Sequence, residues 1–115
     1  MEGPKAATAR IKFHEGKVEE FKLLSAQAME IARTKDTGTL QYDIYFNDDE
    51  SEGIVYERYR DSEALIEHGA NLGDLSAAIF ATGSFSGEVL AEPSAELRAS
   101  LADSPVRIFK PYLSK

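Results

Sequence analysis

A chain of 115 residues with 43% hydrophobic content and a formal net charge of −7 suits one globular domain, expected over residues 1–115, and its acidity excludes charge-driven binding to nucleic acid or an anionic membrane. It has no cysteine, which excludes disulfides, a thiol nucleophile and a zinc–thiolate site. No apolar run approaches a membrane span and the N-terminus lacks the apolar core of a signal peptide, so a soluble cytoplasmic protein is expected.

Residues 1–7 read as a frayed, disordered lead-in. Residues 9–13 (ARIKF) alternate apolar and polar, as a short half-buried strand does, and Gly16 breaks the pattern. Val18, Phe21, Leu24, Ala28 and Ile31 recur at intervals of three and four, so one apolar helical stripe follows, with Gly38 as its stop signal. Leu40, Tyr42, Ile44 and Phe46 then alternate with Gln41, Asp43 and Tyr45, which predicts a strand. The polar stretch from Asn47 to Ser51 is a turn. The return strand carries Ile54, Tyr56 and Arg58 on one face and Val55, Glu57 and Tyr59 on the other, and the pair makes an antiparallel hairpin.

Asp61 is a suitable N-cap for a helix on which Ala64, Leu65, His68 and Leu72 share a face. Gly69 and Gly73 weaken that helix, and Asp74 to Ala81 restarts it. Phe85 to Glu92 reads as a fourth strand, with a bulge expected at Gly87. Ser94 caps a short helix, and Val106 to Lys110 forms a last strand. The order β-α-β-β-α-β is the ferredoxin-like split-βαβ pattern of an α+β fold: an antiparallel sheet with its helices on one face. The other face lacks cover from its own chain. The large side chains on both sides of the hairpin predict that a second copy covers it, as a homodimer with an interface of roughly 1,200–2,000 Å². The C-terminal strand is a natural arm to cross to that partner.

Three segments carry a family resemblance: residues 40–45 (LQYDIY), 55–59 (VYERY) and 63–68 (EALIEH), with residues 16–21 (GKVEEF) agreeing. The chain resembles the antibiotic biosynthesis monooxygenase family of the dimeric α+β barrel group over about residues 9–85. Two departures stand out. There is no tryptophan, and Tyr59 occupies the usual tryptophan position. Asn71, Leu72 and Gly73 follow His68 where the haem-degrading branch places a second histidine, which weighs against haem chemistry.

The resemblance implies a monooxygenase that needs no metal, flavin or haem and oxidises a small phenolic or quinol-type aromatic with molecular oxygen. Such a substrate, once deprotonated, reduces oxygen itself. The protein supplies a dry pocket, a proton acceptor and hydrogen bonds to the anion. His68 and Glu57 are the catalytic candidates; Tyr42, Tyr59, Arg58 and Asn71 are the substrate-binding candidates. His68 is the candidate base because imidazole titrates near neutral pH, and Arg58 is the candidate holder of an anionic substrate. The competing reading is a non-catalytic dimeric scaffold that binds a small ligand; a third, less favoured one is a haem-binding or haem-degrading relative.

Overall fold

A computed structural model describes residues 3–115. Met1 and Glu2, part of the expected disordered lead-in, lie outside the described residues. Among those described, the order is β1 (Lys5–Phe13), α1 (Val18–Thr34), β2 (Thr39–Phe46), β3 (Glu52–Tyr59), α2 (Ser62–Leu72), α3 (Asp74–Phe80), β4 (Gly83–Leu90), α4 (Ala95–Ser100) and β5 (Val106–Phe109). The strands form one sheet in the order β2-β3-β1-β4-β5. β1 is central and antiparallel to both β3 and β4, so the βαβ units interleave as the sequence pattern requires. No helix among the described residues is long and apolar enough to cross a membrane.

Several expectations are corrected. The first strand starts at Lys5, not Ala9: Lys5, Ala6 and Ala7 pair with Tyr59, Arg58 and Glu57, and Lys5 is buried. The alternation that begins at Ala9 is masked upstream by two alanines, Ala6 and Ala7, which fit a sheet without advertising a face. β5 does not leave its chain; it pairs in parallel with β4, from Gly87↔Val106 to Leu90↔Phe109. Gly87 makes no bulge, since the β1–β4 register runs unbroken past it. A Cβ there would sit 2.6 Å from the Thr8 carbonyl oxygen, so close backbone approach is what requires glycine. The irregularity in the sheet falls instead between Thr39 and Gln41.

Register decides which face is which. Tyr42, Ile44 and Phe46 of β2 lie opposite Glu57, Val55 and Gly53 of β3, on the side that β1 lines with Ala7, Ala9 and Ile11. That side meets the helices. One core cluster gathers Ile11, Phe21 and Val55 with Phe13, Phe46 and Ile44; a second gathers Ala7, Val89 and Ala91 with Leu65, Leu101 and Ile108. The opposite face is mixed rather than strongly apolar. Arg10, Asp43, Arg58 and Glu88 share it with Tyr45, Ile54, Tyr56 and Leu90. The expectation of an apolar uncovered face therefore held for only part of it, because the hairpin's most apolar row points inward.

α2 begins as its sequence signals, with Asp61 accepting from the Ala64 amide at 2.9 Å. Gly73, at φ +54°, breaks the helix and lets α3 restart at a new angle. α1 ends at Thr34, four residues short of Gly38. Gly38 is a close-approach position rather than a helix stop: a Cβ would lie 2.5 Å from the Ala64 Cβ and 3.3 Å from the Arg60 guanidinium. Gly38→Ala is therefore expected to cost about 1–3 kcal/mol through overpacking, read as a lower urea midpoint; an unchanged midpoint would show that the loop has slack.

Candidate functional site

A cavity of about 220 Å³ lies between the two core clusters, under α2 and α3. Its cause is local. β1 and β4 contribute Ala7, Ala9 and Gly87 to the helix-facing side, so the sheet floor lacks side chains where its neighbours carry Tyr42, Val55 and Val89. Leu65, His68 and Leu72, all on one face of α2, form the roof, and Ile79 and Phe80 of α3 close one flank. The surface is apolar apart from a few groups, and no lysine or arginine lines it.

The histidine is held by a carboxylate. Asp36, in the loop between α1 and β2, places Oδ2 2.6 Å from His68 Nδ1. The same oxygen accepts from Thr39 Oγ1 at 2.7 Å, and Oδ1 accepts from Asn71 Nδ2 at 2.9 Å. The Asp36 side chain is fully buried. Burial alone would raise its carboxyl; hydrogen bonds from Asn71, Thr39 and His68, with the His68 charge, outweigh that and hold it below its ordinary value. An ionised carboxylate only accepts, so His68 Nδ1 carries the proton. In the neutral ring Nε2 is then a bare acceptor. No other protein hydrogen bond reaches the ring among the described residues, and His68 borders the cavity. Glu67 adds a second clamp on the loop, accepting from the Thr37 amide at 2.7 Å and from its hydroxyl at 2.9 Å.

A second polar group enters from the sheet. Glu57 borders the cavity and accepts a hydrogen bond from the Tyr59 hydroxyl through Oε1. Burial pushes the Glu57 carboxyl up; the Tyr59 hydroxyl and His68 pull it back and the Asp36 charge adds to the rise, leaving it raised. Tyr42 and Tyr59 flank the imidazole, with ring centroids 5.1 and 5.6 Å from it. Burial first, and the Glu57 and Asp36 charges after it, push both phenols upward, so both stay protonated, and Tyr59 donates to Glu57. The site thus pairs an oriented imidazole with a carboxyl group biased towards its acid form. That combination can take a proton at one point and deliver one at another.

The six residues expected at the site divide into three groups. His68, Glu57 and Tyr42 line the cavity together. Tyr59 and Asn71 lie behind them: Tyr59 is buried against Glu57, and Asn71 holds Asp36. Arg58 is brought to the other face of the sheet, beside Gln41 and Ala6 in register, because strand alternation turns it away from its neighbours Glu57 and Tyr59. Asp36 was missed. It sits in a loop with no periodicity, 32 positions from the histidine it serves, and only the tertiary fold brings the two together.

Among proteins of known sequence, the family model described as antibiotic biosynthesis monooxygenase matches residues 5–72. A search of curated proteins found no match. Among solved structures, MupZ from Pseudomonas fluorescens is 27% identical, with a TM-score of 0.84 over 100% of this chain and 90% of that one. Rv0793 from Mycobacterium tuberculosis is 25% identical, with a TM-score of 0.70 over 80% of this chain and 97% of that one. SnoaB from Streptomyces nogalater, a cofactor-independent oxygenase, shares the fold at 15% identity, with a TM-score of 0.67 over 80% of this chain and 95% of that one.

The raised Glu57 carboxyl fixes a pH signature. The folded state binds that proton more tightly than the unfolded state, so this group's contribution to stability is full below the ordinary value of 4.5 and declines as pH rises through the folded value. Asp36 has the opposite sign: its contribution is full above 3.8 and is lost as pH falls through its lowered value. Glu57→Gln keeps an acceptor for Tyr59 and removes the penalty. Its melting temperature is expected to exceed that of the parent at pH 8, with the difference vanishing towards pH 4; a variant less stable at pH 8 would show that the carboxylate is better solvated than its burial implies.

Proposed function

This chain belongs to the antibiotic biosynthesis monooxygenase family, and from that premise we propose that the cavity is the active site of a monooxygenase that uses no bound cofactor and oxidises a small phenolic or quinol-type aromatic with molecular oxygen. The observation that carries the reading is the Asp36–His68 pair, which leaves Nε2 as a free acceptor on an imidazole that lines an apolar cavity also bordered by Glu57 and Tyr42. His68 takes the phenolic proton. The ionised Asp36 stabilises the imidazolium that results, as an oriented carboxylate does for a general base. Tyr42, protonated and on the cavity wall, donates to the ring oxygen. The electron-rich ring carbon then adds to oxygen to give a peroxide anion; once that is protonated, its O–O bond breaks as the same carbon gives up its remaining hydrogen as a proton, which leaves a carbonyl and releases the second oxygen atom as water. Glu57 in its acid form supplies the proton that the reduced oxygen needs, and Tyr59 holds the carboxylate left behind. The apolar lining keeps water from competing for these protons.

The cavity volume supports a small ligand. A cavity of roughly 150 Å³ takes benzene, and 220 Å³ is below the roughly 300–1,000 Å³ typical of drug-sized sites. The same volume argues against haem. Arg58 is assigned no part in holding the substrate, since it lies across the sheet from the cavity. The open face of the sheet, where Tyr45 and Leu90 are exposed, is the surface proposed to pair in a homodimer. Light scattering at micromolar concentration is expected to give twice the monomer mass, and a monomer would remove that part of the proposal.

Oxygen uptake with a panel of quinols and anthrone-like phenols tests the chemistry. The wild type is expected to accelerate uptake with at least one member of the panel. His68→Ala should lose roughly 10²–10⁴-fold of that acceleration, the range of a positioned general base. If no panel member is turned over but some bind, the cavity is a ligand-binding site on the same scaffold.

A further inference from the structure

The residues that would do chemistry and those that bound the far side of the cavity come from different parts of the chain. Asp36, Tyr42, Glu57 and His68 all fall within residues 5–72, the span that the family model matches. The opposite wall lies outside that span. It is made by Phe85 and Val89 of β4, by Leu101 and Pro105 of the segment that joins α4 to β5, and by Val106, the first residue of β5.

That segment is fixed in place. Leu101 packs on the cluster of Ala7, Val89 and Ala91, and Val106 is tied to Gly87 by the parallel β4–β5 pairing. The turn between them is closed by its own hydrogen bonds. The Ser104 amide and hydroxyl both donate to the Leu101 carbonyl, at 3.0 and 2.8 Å, and the Val106 amide donates to Ser104 Oγ at 3.3 Å. Val106 stands beside Gly87, the floor position that has no side chain, so the empty space of the cavity ends at this wall.

We infer that residues 101–106 determine which substrates the cavity admits: Leu101, Pro105 and Val106 set the length of an uncharged fused-ring ligand whose hydroxyl meets His68. The inference rests on reading this cavity as the site, and not on oxygen chemistry. The ligand class follows from the lining, which is apolar at this end and contains no cation to meet a carboxylate or phosphate. The volume suits one to two rings.

Equilibrium dialysis with phenol, 2-naphthol and 2-hydroxyanthracene tests it, with circular dichroism to verify each fold. The wild type is expected to bind 2-naphthol most tightly. Leu101→Ala should favour 2-hydroxyanthracene over 2-naphthol by about tenfold more than the wild type does, and Val106→Phe should weaken 2-naphthol about tenfold while leaving phenol nearly unchanged, the scale of one or two buried carbons. Should either fail to fold, Pro105→Ala, at an exposed position on the rim, is expected to shift the preference towards the longer ligand. Wild-type binding that no wall variant re-ranks overturns the inference and leaves the active-site reading standing. Re-ranked binding without oxygen uptake upholds the inference and removes the oxygenase reading. A wild type that binds none of the three overturns both.

Discussion

A buried carboxylate organises this molecule. Asp36 is fully enclosed yet ionised, a state that costs free energy unless donors replace the water it has lost. It has three: the Thr39 hydroxyl, the Asn71 amide and His68 Nδ1. Two of these lie on α2 and one opens β2, so satisfying the charge ties the α1–β2 loop, the edge strand and the second helix together. The tie is close because Gly38 lets the loop backbone meet Ala64 without a Cβ between them. Removing any one donor leaves part of a buried charge unsatisfied, which is far costlier than losing an exposed ion pair such as Arg60–Asp61.

The same interaction sets the state of the imidazole: because Asp36 only accepts, it selects the tautomer and leaves Nε2 as the free acceptor. The sheet supplies the complement. Glu57 is turned inward by strand alternation, while its neighbour Arg58 is turned outward, so the carboxyl meets Tyr59 rather than a cation. The cavity exists because the floor strands carry alanine and glycine where a fully packed sheet would carry valine or isoleucine, and the two core clusters do not close over the gap. The space, the oriented imidazole and the raised carboxyl thus come from three separate features of the chain.

How much of this the sequence disclosed depended on whether a residue's role was periodic. The hairpin, both main helices and the α2 cap follow from intervals of two, three and four and from Asp61, and each is present. His68 was found because it falls on the apolar stripe with Ala64, Leu65 and Leu72. Lys5 to Thr8 was missed because alanines give alternation no contrast. Asp36 was missed because a loop has no period, and its value lies in a contact 32 residues away. Arg58 was assigned to the pocket although it alternates with Glu57, so both could not face one cavity; that was readable from the strand pattern alone. Gly38 and Gly87 looked like a stop and a bulge, and both turned out to permit close packing, a distinction that depends on neighbours absent from the local sequence.

The central claim is that Asp36 fixes His68 with its proton on Nδ1 and a free lone pair on Nε2. Nitrogen-15 NMR of the imidazole rings tests it directly, since the chain has only two histidines, and His14 is exposed. With the ring neutral, His68 is expected to show a protonated Nδ1, with its proton shifted downfield by the carboxylate, and an unprotonated Nε2, a pattern that Asp36→Asn should abolish while His14 stays unchanged. A neutral His68 protonated on Nε2, or a spectrum indifferent to Asp36→Asn, would contradict it.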